Sequence, residues 1–246
     1  MPFQDHGATL LRTVCQLPAL TDLNVHSPED GHRRITPLRD DRGLPRCREL
    51  AELQSPSLTR LRVCMESYND DSTLQLAGLP ELRSCYITGI RPGALDINID
   101  DTSFQAVPQL QALTLRNADE VQLQPGSLAQ LTALTALRLI DCGLDGLPAD
   151  VASLSGTLSV LDVSDNIDLE LDGAAVASIL ACSRLRTFGC YKQSTEDYES
   201  DTLMHLVRLP MAFFKRHGRE LDVFVDCKTF EECSREGSSW QLPDML

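Results

Sequence analysis

The chain has 246 residues, 42% hydrophobic and 24% charged, the proportions of a folded globular protein. Asp and Glu number 36 against 22 Lys and Arg, a formal net charge of −14, which excludes a general nucleic-acid binder and a polybasic membrane-surface protein, since both need surplus cation. Leu occurs 40 times against 7 Phe, 4 Tyr and 1 Trp, so it serves as a repeated structural unit and not as one core filler among many.

Residues 1–16 form an expected lead-in without a basic segment followed by an unbroken apolar run, the pattern of a secretory leader. No window approaches the roughly 20 apolar residues of a membrane helix. The expectation is a cytoplasmic chain without membrane insertion. Nine Cys (Cys15, Cys47, Cys64, Cys85, Cys142, Cys182, Cys190, Cys227 and Cys233) are widely spaced with no CxxC pair, and the sequence has no N-x-S/T sequon. Reduced, mostly buried thiols are expected.

In chain order, the first recurrent unit is Leu20-Thr-Asp-Leu23-Asn-Val25. A stretch rich in charge, Pro and Gly follows at 27–47 and reads as a solvated insertion. Its arginines Arg33, Arg34, Arg39 and Arg42 offer a binding loop as the other reading, offset by Glu29, Asp30, Asp40 and Asp41. Leu58-Thr-Arg-Leu61-Arg-Val63 is the second unit, and Leu79-Pro-Glu-Leu82-Arg-Ser84 is taken as a degraded third. Asp96-Ile-Asn98-Ile-Asp100-Asp101 superficially matches the first ligands of a calcium loop. Asp101 stands where such a loop needs Gly and Val107 where it needs Glu, so an acidic loop is expected.

The clearest units then follow at even spacing. Leu110-Gln-Ala-Leu113-Thr-Leu115, Leu134-Thr-Ala-Leu137-Arg-Leu139 and Leu158-Ser-Val-Leu161-Asp-Val163 place Leu113, Leu137 and Leu161 at intervals of 24 residues. Cys142 and Asn166 occupy the ninth position of the last two. Leu185-Arg-Thr-Phe188-Gly-Cys190 closes the series. In a strand, alternate side chains share a face, so the fourth and sixth positions enter a core and their neighbours face out. One unit cannot bury its apolar side alone, and stacking makes the core continuous.

Beyond the repeats, Leu203, Leu206, Val207, Leu209, Ala212, Phe213 and Phe214 predict a helix over 202–217 with a kink at Pro210, ending in Lys215-Arg216-His217 and Gly218. Leu221-Asp-Val223-Phe-Val225 alternates like a strand. Residues 231–246, with Trp240, read as a tail lying back on this cap or as a docking peptide.

The pattern L-x-x-L-x-L-x-x-[NC] resembles the leucine-rich-repeat family in its cytosolic form. Gly146-Leu147-Pro148-Ala149-Asp150-Val151-Ala152-Ser153-Leu154 is similar to the L-P-x-x-[IVL]-x-x-L half of many cytosolic members. The resemblance implies an α/β solenoid of about seven repeats over 17–193, with a parallel sheet on its concave face and a C-terminal helix–strand cap at 194–230. It also implies a non-catalytic protein-interaction module that binds its partner on the concave face. The alternatives are a substrate-recognition subunit of a ubiquitin ligase and a cytoskeletal or ciliary (axonemal) scaffold.

Outward positions of successive strands, in the register set by the second anchors, gather Arg60, Arg62, Arg83, Arg116 and Arg138, with Asp162 and Tyr191 further on. Such a stripe in an acidic protein predicts a partner with an acidic segment. No nucleotide-binding, serine-hydrolase or zinc-protease string occurs, and no cofactor or metal is expected. An enzyme remains the distant reading, resting on Cys227 or His205.

Overall fold

The computed structural model describes residues 17, 19–25, 50–65, 73–90, 95–191 and 200–224. The expected insertion at 27–47, the lead-in 1–16, the tail 231–246, and Cys15, Cys47, Cys227, Cys233 and Trp240 lie outside them.

Each recurrent L-x-x-L-x-L unit supplies a short strand. In chain order these are β1 (Asp22–Val25), β2 (Arg60–Met65), β3 (Ser84–Gly89), β5 (Ala112–Arg116), β7 (Ala136–Ile140), β8 (Val160–Asp162) and β9 (Thr187–Gly189). With β10 (Asp222–Phe224) they form one sheet of eight described strands in the order β1-β2-β3-β5-β7-β8-β9-β10. Every pairing is parallel, so the chain returns between strands on one side of the sheet each time. This is an α/β solenoid of stacked parallel strands, built on the L-x-x-L-x-L units.

The return limbs differ along the stack. The limbs after β3 and after β5 carry β4 (Asp96–Ile99) and β6 (Glu120–Leu123), which pair with each other as a second, two-stranded parallel sheet. Isolated bridges Thr73↔Asn98 and Gly146↔Glu170 lie beside it. A 3-10 helix at Leu128–Gln130 follows β6 in the same limb, another at Ala149–Leu154 lies in the next, and the two limbs after that carry α1 (Gly173–Ala181) and α2 (Ser200–His217). Asp172 caps α1 by accepting from the Ala175 backbone N–H at 2.7 Å. α2 runs unbroken through Pro210 and stops at Gly218, whose φ of +68° is the left-handed form favoured after a helix end.

The core is the ladder the periodicity predicts. Leu23, Leu61, Cys85, Leu113, Leu137, Leu161, Phe188 and Val223 are register partners along the sheet. From Leu61 to Phe188 every member is buried, as are the first-position residues Leu58, Leu82, Leu110, Leu134, Leu158 and Leu185. Full burial of one such side chain is worth about 1.5–3 kcal/mol, so the stack is held chiefly by this column and its neighbours.

Two expectations need correction. In the third unit Cys85, not Leu82, is the second anchor, because Cys85 pairs with Leu61 on one side and Leu113 on the other. Leu82 takes the first position and is buried there. Asp96–Ile99 is a strand and not a loop, with Ile97 and Ile99 pointing into the core. After α2, β10 pairs in register with β9 at the end of the described sheet.

Candidate partner-binding face

The odd-numbered positions of each strand point away from the core and build one broad surface. Position three carries Asp22, Arg60, Ser84, Ala112, Ala136, Val160, Thr187 and Asp222 in register. Position five carries Asn24, Arg62, Tyr86, Thr114, Arg138, Asp162, Gly189 and Phe224. Over β1 to β7 this surface is recessed into a groove of about 610 Å³, lined among others by Arg60, Arg62, Tyr86, Arg116 and Arg138. A groove above an unbroken sheet is what a concave face looks like locally.

Four of the five arginines named from sequence therefore meet on this face. Arg83 does not join them. The corrected register puts it at position two, beside Thr59 and Gln111 at the strand entry, where its backbone carbonyl accepts from Gln111 and Ala112 N–H groups at 2.8 and 3.0 Å. Thr59, Thr135 and Ser159 hold the same position and donate their hydroxyls to the preceding rung's carbonyl at 2.9–3.0 Å, so position two belongs to the turn and not to the face. The slip also hid Tyr86, which occupies the place assigned to Arg83. Its only sequence signal is the alternation Cys85-Tyr86-Ile87, easily overlooked beside two leucines.

The arginines have different surroundings. Arg60 lies 3.5 Å from Asp22 in an exposed pair, an arrangement worth little in water. The Arg62 guanidinium sits 4.8 Å from the centroid of the Tyr86 ring, a cation–π contact that orients it over the groove. Burial raises the carboxyls of Asp141 and Asp165, and Arg116 is near enough to oppose that shift in both. Among the described residues no carboxylate lies within ion-pair distance of Arg62 or Arg138. Arg62 and Arg138 are three strands apart in one column, about 14 Å at the usual strand spacing.

The sign of the surface changes at the next rung, where Arg138 is the register partner of Asp162. Asp162 accepts from the Ser164 N–H at 3.1 Å and its hydroxyl at 2.6 Å, and the Ser164 hydroxyl oxygen accepts from the Tyr191 N–H at 3.0 Å. Gly189 leaves room for this arrangement, since a Cβ there would stand 2.5 Å from Asp162 Oδ1. Asp162 and Tyr191 thus sit beyond the groove in a local network of their own. Asp141 and Asp165 flank it, both at positive φ (52° and 61°). Burial pushes the carboxyl of Asp141 above its ordinary range, against the pull of Arg116. Burial does the same to Asp165, reinforced by Asp141 and Asp162 and opposed by Arg116.

Three of the five described thiols are poor nucleophiles. Burial pushes Cys85 and Cys142 up to about 12 and Cys182 up to about 11, so all three stay protonated and unreactive at neutral pH. His205, the other residue tied to an enzymatic reading, is half-buried on α2. Among the described residues no group of three or more His, Cys, Asp or Glu could hold a metal ion, and no helix is long and apolar enough to cross a membrane.

No protein-family model matches the sequence, and no curated protein does. Among solved structures, the crystal structure of an internalin from Listeria monocytogenes is similar over 76% of this chain, at 13% identity and a TM-score of 0.34. The match spans 61% of that protein's chain. The solenoid assignment stands on the strand register of this chain itself.

Proposed function

We propose that the protein is a non-catalytic interaction module whose concave face binds an extended acidic segment of a partner protein. The observation that carries this reading is the convergence of Arg60, Arg62, Arg116 and Arg138 on one groove of a chain whose net charge is −14. Local inversion of charge steers an acidic ligand to the groove and disfavours other surfaces. Arg62 and Arg138, without carboxylate partners among the described residues, are the two principal anchors. Their separation of about 14 Å equals four residues of extended chain at roughly 3.4 Å each, so acidic side chains at i and i+4 of the ligand meet both.

A peptide array tests this directly: extended acidic peptides with glutamates at every fourth position, read by fluorescence anisotropy at two salt concentrations. Binding that weakens with salt is expected. Arg62→Glu with Arg138→Glu should weaken it about tenfold or more, given two surface contacts each worth about 0.2–1 kcal/mol plus the new repulsion. Arg83→Glu, away from the groove, should leave it within about twofold. No binding to any acidic peptide, or an equal loss on changing Arg83, rejects the reading.

A further inference from the structure

The last described helix carries an apolar stripe that the repeats do not use. α2 buries Leu206, Leu209 and Phe213 and packs against α1 and β10. On another flank, Val207, Met211 and Phe214 follow one another at spacings of four and three residues and so share one face. They are 48%, 51% and 49% exposed. The terminal unit of a repeat stack normally turns a polar side outward. Here α2, the last described helix, presents three large apolar side chains, followed by the exposed cations Lys215 and Arg216 in its last turn.

We propose that residues 238–246 of the same chain dock on this stripe. The chain continues from β10, which packs against α2, so the tether to the segment begins beside the stripe. Residues 225–246 reach about 70 Å when fully extended, against about 27 Å for the 18 residues of α2, so the tether is long enough. The segment brings apolar side chains of the right kind in Trp240, Leu242, Met245 and Leu246. The stretch 225–246 also brings opposite charge: Asp226, Glu231, Glu232, Glu236 and Asp244 outnumber Lys228 and Arg235, complementing Lys215 and Arg216 of α2.

Size decides between this occupant and a second copy. A stable interface between two molecules buries about 800 Å² on each partner. Three half-exposed side chains supply only a fraction of that, since even a large aromatic contributes about 150–250 Å² when fully buried. A tethered segment meets the stripe at an effective concentration in the millimolar range, where so small a patch suffices.

Trp240 is the only tryptophan, so its fluorescence reports the segment alone in the full-length chain. Emission to the blue of that in the urea-unfolded chain is expected, with acrylamide quenching reduced several-fold. Met211→Asp with Phe214→Asp should return both to the unfolded values while far-UV circular dichroism and the thermal midpoint hold. Where that pair fails to fold, Met211→Gln with Phe214→Gln replaces it. Leu242→Ser with Met245→Ser, outside the repeats, should release Trp240 from the other side. Solvent-like emission in the unaltered chain overturns the proposal. So does blue emission that survives a folded Met211/Phe214 variant, or one that grows with protein concentration alongside a dimer in sedimentation.

Discussion

Asn166 shows how much one side chain does at a repeat bend. Its Oδ1 accepts from the Cys142 and Leu144 N–H groups at 2.9 and 3.1 Å, and its Nδ2 donates to the Leu139 and Val163 carbonyls at 2.8 and 2.7 Å. It thereby satisfies buried backbone groups of two rungs that no strand pairing reaches. One rung back, Cys142 does a weaker version of the same task, with Sγ 3.3 Å from the Leu115 carbonyl. The residue just before each, Asp141 or Asp165, takes the left-handed conformation that Asp and Asn tolerate best, as does Asn117 a repeat earlier. Conformation is thus met at a cost in charge: Asp165 Oδ1 is buried with no hydrogen-bond partner. Its pKa is raised in the folded state, so the native chain holds the proton more tightly than the unfolded chain. Stability from this group is present below the ordinary carboxylate pKa and is lost as pH rises through the raised value. Asp165→Asn keeps the left-handed preference and removes the charge. It should raise the urea midpoint at pH 7, with a gain that shrinks as pH falls to 4. Equal midpoints for the two proteins at pH 7 would contradict the burial of that charge.

At the level of elements, the strands depend on tight bends as much as on apolar alternation. Gly143 follows Cys142 at a φ of +61°, and a Cβ there would lie 2.0 Å from the Asp119 carbonyl oxygen, which belongs to the neighbouring bend. Gly143→Ala should therefore cost about 2 kcal/mol or more in chemical denaturation, through both the backbone conformation and the clash. The same bends explain what the sequence disclosed and what it concealed. Where both anchors are Leu, as in β5 and β7, spacing alone places the strand and its outward arginines Arg116 and Arg138. In β3 the anchor is Cys85, while Leu79 and Leu82 upstream imitate the motif, so the register slips by three residues and Arg83 is exchanged for Tyr86. The thiol packs where Leu would, which a Leu-based reading is blind to. β4 and β6 were concealed for a different reason. Each is four residues long with polar residues between its apolar ones, and the carboxylates of Asp96, Asp100 and Asp101 draw attention from Ile97 and Ile99.

The whole molecule behaves as a one-dimensional stack, in which each rung is stabilised by its two neighbours. A defect in the middle should therefore spread further than one at an end. Leu137→Ala removes a fully buried side chain from the central column, between Leu113 and Leu161. The expected loss is about 2–5 kcal/mol. Hydrogen exchange should quicken in β5 and β8 nearly as much as in β7, and least in β1 and β10. Acceleration confined to β7 would mean the rungs are less coupled than their packing implies. The unequal return limbs have a geometric consequence. Strands stack at about 4.8 Å, whereas side-by-side helices need about 8–10 Å between axes. Where β4 and β6 back the main sheet, both sides of the stack advance by similar steps, so that stretch should curve least. Where α1 and α2 take over, the outer arc outruns the inner one and the curvature should tighten. The part of the arginine groove over β3, β5 and β7 thus falls in the shallower arc, which suits a ligand laid out lengthwise.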